Sequence, residues 1–248
     1  MGDSLLFIHG LGSSARDWEN QVPFFAEKYR VVTPDLRGHG TSDWPSGPYS
    51  LALFASDMAS LIRSLGIAPA HVVGISLGGF VAFQLALDHP DLVRSLVAVN
   101  SAPGLPRDRL GDRMRLAWAL LLRRLIARYF GMRTLGRVLG KKLFPRPDQS
   151  VLKSGFIERW AENDRDAYLA SLAAVFGWST EDRVGTIACP TCVISGEHDF
   201  IPLALKESYT AKLPHGELIV IPGSGHFTPV DAPERFNQAL MLFLARQD

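Results

Sequence analysis

Six short apolar runs recur along the chain, separated by longer stretches of helical period. The runs are Leu5-Leu6-Phe7-Ile8, Arg30-Val31-Val32-Thr33, His71-Val72-Val73, Leu96-Val97-Ala98-Val99-Asn100, Thr191-Cys192-Val193-Ile194-Ser195 and Leu218-Ile219-Val220-Ile221. Their length and β-branched content predict buried strands. Helical periodicity predicts helices over 18–28, 50–65, 77–88, 203–213 and 233–246, with Ser50 placed to cap the second. Strands alternating with helices imply an α/β fold with a mostly parallel sheet flanked by helices.

The alternation stops after Asn100 and resumes near residue 191. Residues 103–186 read as a helical cap inserted over a core made of 1–102 and 187–248. Charge is uneven within it. Residues 103–142 hold eleven Lys or Arg and only Asp108 and Asp112 as acids, while 148–182 hold seven acids and three bases. Two readings stand: the halves neutralise each other on solvated faces, or the basic half attracts an acidic partner such as an acyl carrier protein or an anionic membrane surface. Seven consecutive apolar residues, Leu116-Ala117-Trp118-Ala119-Leu120-Leu121-Leu122, cover both faces of a cap helix. Again two readings stand, burial within the cap or an acyl pocket lined by Trp118, Leu120 and Leu121. Trp160, Tyr168, Phe176 and Trp178 offer further apolar walls.

At 248 residues with net charge +1 the chain suits one large domain, and no basic field points to nucleic acid. No apolar run reaches the ~18 residues of a membrane span, and no basic-then-apolar leader opens the chain. The expected location is the cytoplasm. Cys189 and Cys192 form a C-x-x-C pair that enters a strand rather than a helix start, without further ligands at zinc spacing. We read it as structural, with Cys192 in the core, and expect neither metal nor cofactor.

The sharpest chemical signal is Gly74-Ile75-Ser76-Leu77-Gly78, a G-x-S-x-G turn between a strand and the helix that begins at residue 77. Such a turn exposes the serine hydroxyl, and its glycines are needed where backbone segments come too close for a Cβ. A serine nucleophile needs a base, and the base needs an orienting group. Asp199 follows the strand at 191–195, and His226 follows the strand at 218–221. Each therefore lies beyond a strand's C-terminal end, where open α/β sheets bind ligands. The order serine, acid, histidine is the one this architecture uses. The backbone N–H of Leu77, one residue past the nucleophile, and that of Leu11, in His9-Gly10-Leu11, are the candidate oxyanion donors. His9 reads as a structural histidine holding its loop. His39 and Asp35 read as parts of a structural turn, Asp231 as a cap for the last helix, and His71, His89 and His215 as surface or turn residues.

Five segments together resemble the α/β-hydrolase superfamily in its small single-domain branch: HGLGSSARDW at 9–18, PDLRGHGTSD at 34–43, GISLGG at 74–79, ISGEHD at 194–199 and GSGHFTPVDAPE at 223–234. The resemblance implies Ser76 as nucleophile, Asp199 as acid, His226 as base, and Leu11 and Leu77 as oxyanion donors. It places the cap after the sixth family strand. The two strands with which such relatives begin are expected to be absent, and the strand at 30–33 is then expected to form a sheet edge. Carboxylesterases, enol-lactonases and carrier-protein methyl ester esterases are all similar to this chain.

The expected activity is cleavage of small-molecule carboxylic esters, thioesters or lactones through an acyl-enzyme. Carbon–carbon bond hydrolysis or perhydrolysis on the same triad is the alternative within this chemistry. A ligand receptor using the same pocket is the alternative outside it.

Overall fold

A computed structural model describes residues 3–104 and 110–247, without the side chains of 110, 112, 113 and 116. The expectations that fall on residues 105–109 and on the Leu116 side chain therefore lie outside the described residues. Six strands form one sheet: β1 (Ser4–Ile8), β2 (Arg30–Val32), β3 (Ala70–Ile75), β4 (Val93–Val99), β5 (Thr191–Gly196) and β6 (Gly216–Ile221). They run in the order β2-β1-β3-β4-β5-β6, and every pairing is parallel. β2 lies at one edge, as expected for the strand at 30–33.

Parallel strands are buried on both faces, so alternation sorts one apolar face from another rather than core from water. Leu6, Ile8, Val72, Leu96 and Ala98 enter one core with α2 (Leu51–Ser64) and α3 (Leu77–Asp88). Leu5, Phe7, Val73, Ile75, Val97 and Val99 enter the other with α9 (Pro233–Leu244). Cys192 lies in that second core, and its burial pushes the thiol pKa up.

Several local readings need correction. The helix expected over 18–28 is divided into a 3-10 turn at Ala15–Trp18 and α1 (Val22–Phe25), with Pro23 in the first turn of α1. Proline there has no N–H to continue a preceding helical segment. His71 is not a surface residue. It is fully buried in β3, with Nδ1 2.7 Å from Ser95 Oγ and its ring edge-on to Tyr29. Asp231 does not cap α9, whose N-cap position is Ala232. It ends the short helix α8 (Thr228–Asp231) and turns back to accept from Ser224 Oγ (2.6 Å) and Gly225 N–H (2.7 Å), bracing the loop that carries His226.

Between β4 and β5 the chain leaves the sheet for α4 (Leu110–Leu143), α5 (Ser150–Ala161) and α6 (Arg165–Val175). Gly131 (φ 80°, ψ 168°) breaks α4 in two, in a conformation that side chains rarely adopt. The excursion closes where Gly104 bridges Ser179 and the Thr180 N–H donates to the Pro103 carbonyl at 2.7 Å. Arg159 to Glu19 (2.6 Å), Arg16 to Glu162, and Asn163 Nδ2 to Gly12 O (2.9 Å) tie it to the core. Among the described residues one ion pair, Arg133 with Glu158, joins the basic and acidic halves of the cap. No described helix is long and apolar enough to cross a membrane. α7 (Leu203–Thr210) follows β5.

Candidate active site

The strand order determines where a site can form. From β1 the chain winds one way to β2, then returns to lay β3 on the other side of β1. Loops leaving β1 and β3 therefore part at the sheet's carboxyl end and leave a crevice between them, the topological switch point. The β1 loop carries His9-Gly10-Leu11, and the β3 loop carries Ser76.

Ser76 occupies φ 53°, ψ −112°, a conformation uncommon for a residue with a side chain. Its N–H donates to Val99 O (3.0 Å), and its carbonyl accepts from Ser101 Oγ (2.8 Å). Close packing requires both motif glycines. A Cβ on Gly74 would fall 2.1 Å from Gly78 O, and one on Gly78 would fall 2.1 Å from Ile8 O. The strained elbow is therefore held by its neighbours on both sides, and Ser76 is left half-buried at the cavity floor.

His226 is buried, with Nδ1 2.6 Å from Asp199 Oδ1. A carboxylate acceptor there requires the proton on Nδ1 and leaves Nε2 free to accept. Burial alone would raise the Asp199 pKa, but the charges and hydrogen bonds of His226 and Lys206 outweigh it and hold the carboxyl below its ordinary range. Lys206 is fully buried. Its ammonium meets Asp199 Oδ2, Ser195 Oγ (2.7 Å) and Asn100 Oδ1 (3.4 Å). Asn100, at φ 45°, donates to His226 O (2.7 Å) and Thr228 Oγ1 (2.7 Å) and accepts from Gly196 N–H (2.8 Å). It thus ties the histidine loop to the end of β5. Reading the sequence did not single out Lys206. The Lys206 position on a short polar helix carries no local sign of burial.

Ser76 and His226 line one cavity of about 240 Å³ together with Leu11 and Leu77. Among the described residues the Ser76 hydroxyl has no hydrogen-bond partner, so no hydrogen bond joins it to His226 here. The Leu11 and Leu77 N–H groups donate to no described acceptor. For Leu77 this follows from its place at the first position of α3, where an N–H has no partner within the helix. His9 holds the first loop as a neutral ring. Nδ1 is 2.8 Å from Gly10 O, Nε2 accepts from Leu36 N–H (3.0 Å), and burial depresses the pKa. Asp35 accepts from Ala15 N–H (2.7 Å) and Thr41 N–H (2.8 Å), so it anchors the neighbouring turn.

The cap supplies the roof. Leu120 lines the cavity, as do Trp160, Phe156, Leu172 and Val175. Trp118 and Leu121 do not: they point outward, 66% and 44% exposed. The run 116–122 has two faces, and only one of them looks inward. Trp178 stacks on Phe80 (ring centroids 5.0 Å apart), which itself lines the cavity, while Phe176 is exposed. A larger depression of about 380 Å³ lies on the seam between cap and core, but neither Ser76 nor His226 lines it.

Comparison with known proteins places this geometry. An uncharacterized protein of Mycobacterium tuberculosis is 33% identical over 98% of the chain and 75% of its own length. A 2-hydroxy-6-oxo-6-phenylhexa-2,4-dienoate hydrolase of Burkholderia cepacia is 30% identical, covering 98% and 88%. The enol-lactonase of Burkholderia xenovorans LB400 shares the fold with a TM-score of 0.90, at 23% identity over 99% of this chain and 92% of that one. The family model that describes the alpha/beta hydrolases matches residues 5–239, from the first strand into the last helix, and the chain belongs to that family.

Proposed function

We propose that this protein is a serine hydrolase that cleaves small carboxylic esters or lactones through an acyl-enzyme. The observation that carries the reading is the convergence on one cavity of Ser76, of His226 with its Nδ1 held by Asp199, and of the two undonated N–H groups of Leu11 and Leu77. His226 Nε2 takes the Ser76 proton as the oxygen attacks the carbonyl. The two N–H groups hold the tetrahedral oxyanion, each contributing roughly 2.7–4 kcal/mol by analogy with measured oxyanion donors. Asp199 keeps the ring in its tautomer and stabilises the imidazolium. The same imidazolium protonates the leaving oxygen, and the neutral ring then draws a proton from water to release the acid.

Relatives named 3-oxoadipate enol-lactonase (Acinetobacter baylyi, 26% identical) and putative carbamate hydrolase (Caulobacter segnis, 30% identical) support acyl transfer to water. The Burkholderia cepacia relative, named for a dienoate, supports a second reading, hydrolysis of a carbon–carbon bond by the same groups. The test is a panel of p-nitrophenyl esters and lactones with a fluorophosphonate probe. Ser76→Ala should abolish both turnover and labelling. Full turnover in that variant would overturn the mechanism.

A further inference from the structure

The active cavity is walled almost entirely by apolar side chains, yet two basic side chains line it: Arg123 from the first half of α4 and Lys142 from the end of its second half. Among the described residues no aspartate or glutamate lines it. Some cap arginines find carboxylates, as Arg133 does with Glu158, Arg159 with Glu19 and Arg146 with Asp148, while Arg124, Arg128 and Arg137 are exposed and line no part of this cavity. Among the described residues Arg123 and Lys142 have no such ion pair. Arg123 lies beside the buried Tyr168 hydroxyl, a neutral group whose pKa burial raises to about 12. The Lys142 ammonium stands 4.4 Å from the centre of the Phe200 ring, and that ring stacks on His226 at 4.0 Å.

Two like charges converging on apolar walls are costly without a counter-ion. Lys142 loses part of its hydration and is repelled by Arg123, against a weaker attraction from Asp199. The Lys142 pKa is lowered accordingly, first by desolvation and then by the charge of Arg123. Lys142 still reaches water along part of its length and Arg123 is half-buried, so both can turn their charge toward the cavity or the solvent. A substrate anion would complete the pair. Arginine offers a carboxylate two parallel donors and lysine adds a point charge. At about 240 Å³ the cavity is smaller than the ~300–1,000 Å³ of common ligand clefts. An anion held at Lys142 is separated from His226 by the Phe200 ring alone.

We propose that Arg123 and Lys142 form an anion subsite, so that the substrate is a short ester or lactone carrying a free carboxylate at the end remote from the scissile carbonyl. This rests on the serine-hydrolase reading for its chemistry, but its test is read by binding and stands apart from turnover.

The experiment uses the full chain with Ser76→Ala, which keeps the cavity and removes the nucleophile. Monomethyl glutarate and methyl pentanoate are titrated calorimetrically; they match in length and differ in one carboxylate against one methyl. The expected result is at least tenfold tighter binding of the anion, an advantage that shrinks as salt rises. Adding Lys142→Met or Arg123→Met should erase most of it, while methyl pentanoate binds as before and so reports an intact cavity. Lys142→Arg should retain it. Equal binding of the two esters, or binding of neither, overturns the subsite. So does an advantage that survives both methionine variants, or a loss that falls equally on both esters. Tighter binding of inorganic phosphate than of monomethyl glutarate overturns the assignment to a carboxylate. With Ser76 intact, hydrolysis should show the same preference. Preferential binding without any turnover would sink the hydrolase reading and leave the subsite standing.

Discussion

At Asp199 one carboxylate serves two cations, and both are out of water. Oδ1 takes the His226 ring and Oδ2 takes Lys206, whose side chain is 0% exposed. Burying an ammonium is tolerable only while its partners remain. Lys206→Met should lower the unfolding free energy by roughly 3–5 kcal/mol, the usual consequence of breaking a buried pair from one side, as read by urea denaturation at pH 7. A loss under ~1 kcal/mol, the range of exposed pairs, would mean the pair is solvated in solution. This residue also marks a limit of reading the sequence. Ser76, Asp199 and His226 stand out as candidates because each sits in a short local motif in the loop that follows a strand. Lys206 and Asn100 act through partners 7 to 128 positions away, and nothing beside them in the chain records those partners. His71 fails for a related reason. A histidine opening an apolar run looks like an edge residue until Ser95 on the next strand supplies its hydrogen bond.

At the scale of elements, the strands and the helices around them follow from apolar period, because a parallel sheet covered on both faces leaves little choice of placement. The helical stretch between β4 and β5 was legible as a break in the strand alternation but not in its facing. Seven apolar residues in a row point everywhere around a helix, so only tertiary packing separates Leu120, in the cavity wall, from Trp118 and Leu121 outside. The break at Gly131 is equally silent in period, since it redirects the helix without interrupting it for more than one residue. The two faces behave differently on substitution. Leu120→Trp should move the preferred acyl chain of p-nitrophenyl esters to shorter lengths by filling the cavity, with an overpacking cost of about 1–3 kcal/mol at most. Leu121→Trp should leave the chain-length profile where it was. A shift of equal size in both would place the run against the substrate on both faces, contrary to the geometry.

At the scale of the whole molecule, the seam between cap and core has its own pH response. Asp17 lies in the 3-10 turn beneath the cap, 2% exposed, and accepts from the Ser13 hydroxyl. Burial raises its pKa from 3.8 to about 7, against the opposing pull of Ser13, the Gly10 backbone and Arg159, and with a small push from Glu19. The sign follows from proton counting. The unfolded chain releases this proton near pH 4 while the folded protein keeps it to about pH 7, so the folded state binds more protons between those values. Stability therefore falls as pH rises through that window and levels off above it. Asp17→Asn keeps an acceptor for Ser13 and removes the titration. Its stability relative to wild type should grow from pH 4 to pH 7 and then stay constant. At about 1.36 kcal/mol per pH unit, the gain is bounded at roughly 4 kcal/mol. Thermal and urea unfolding of both proteins at pH 4.5, 6 and 8 decide it. A difference that does not change with pH would show that Asp17 ionises near its ordinary value, with water reaching it through the seam. Arg159 makes that outcome informative, because it bonds Glu19 and the Arg16 carbonyl across the same seam. Arg159 also pulls the Asp17 pKa down by its charge, so Arg159→Ala should move the Asp17 titration further up and carry the fall in stability past pH 7; a shift back toward pH 4 would instead show that loosening the cap had let water in.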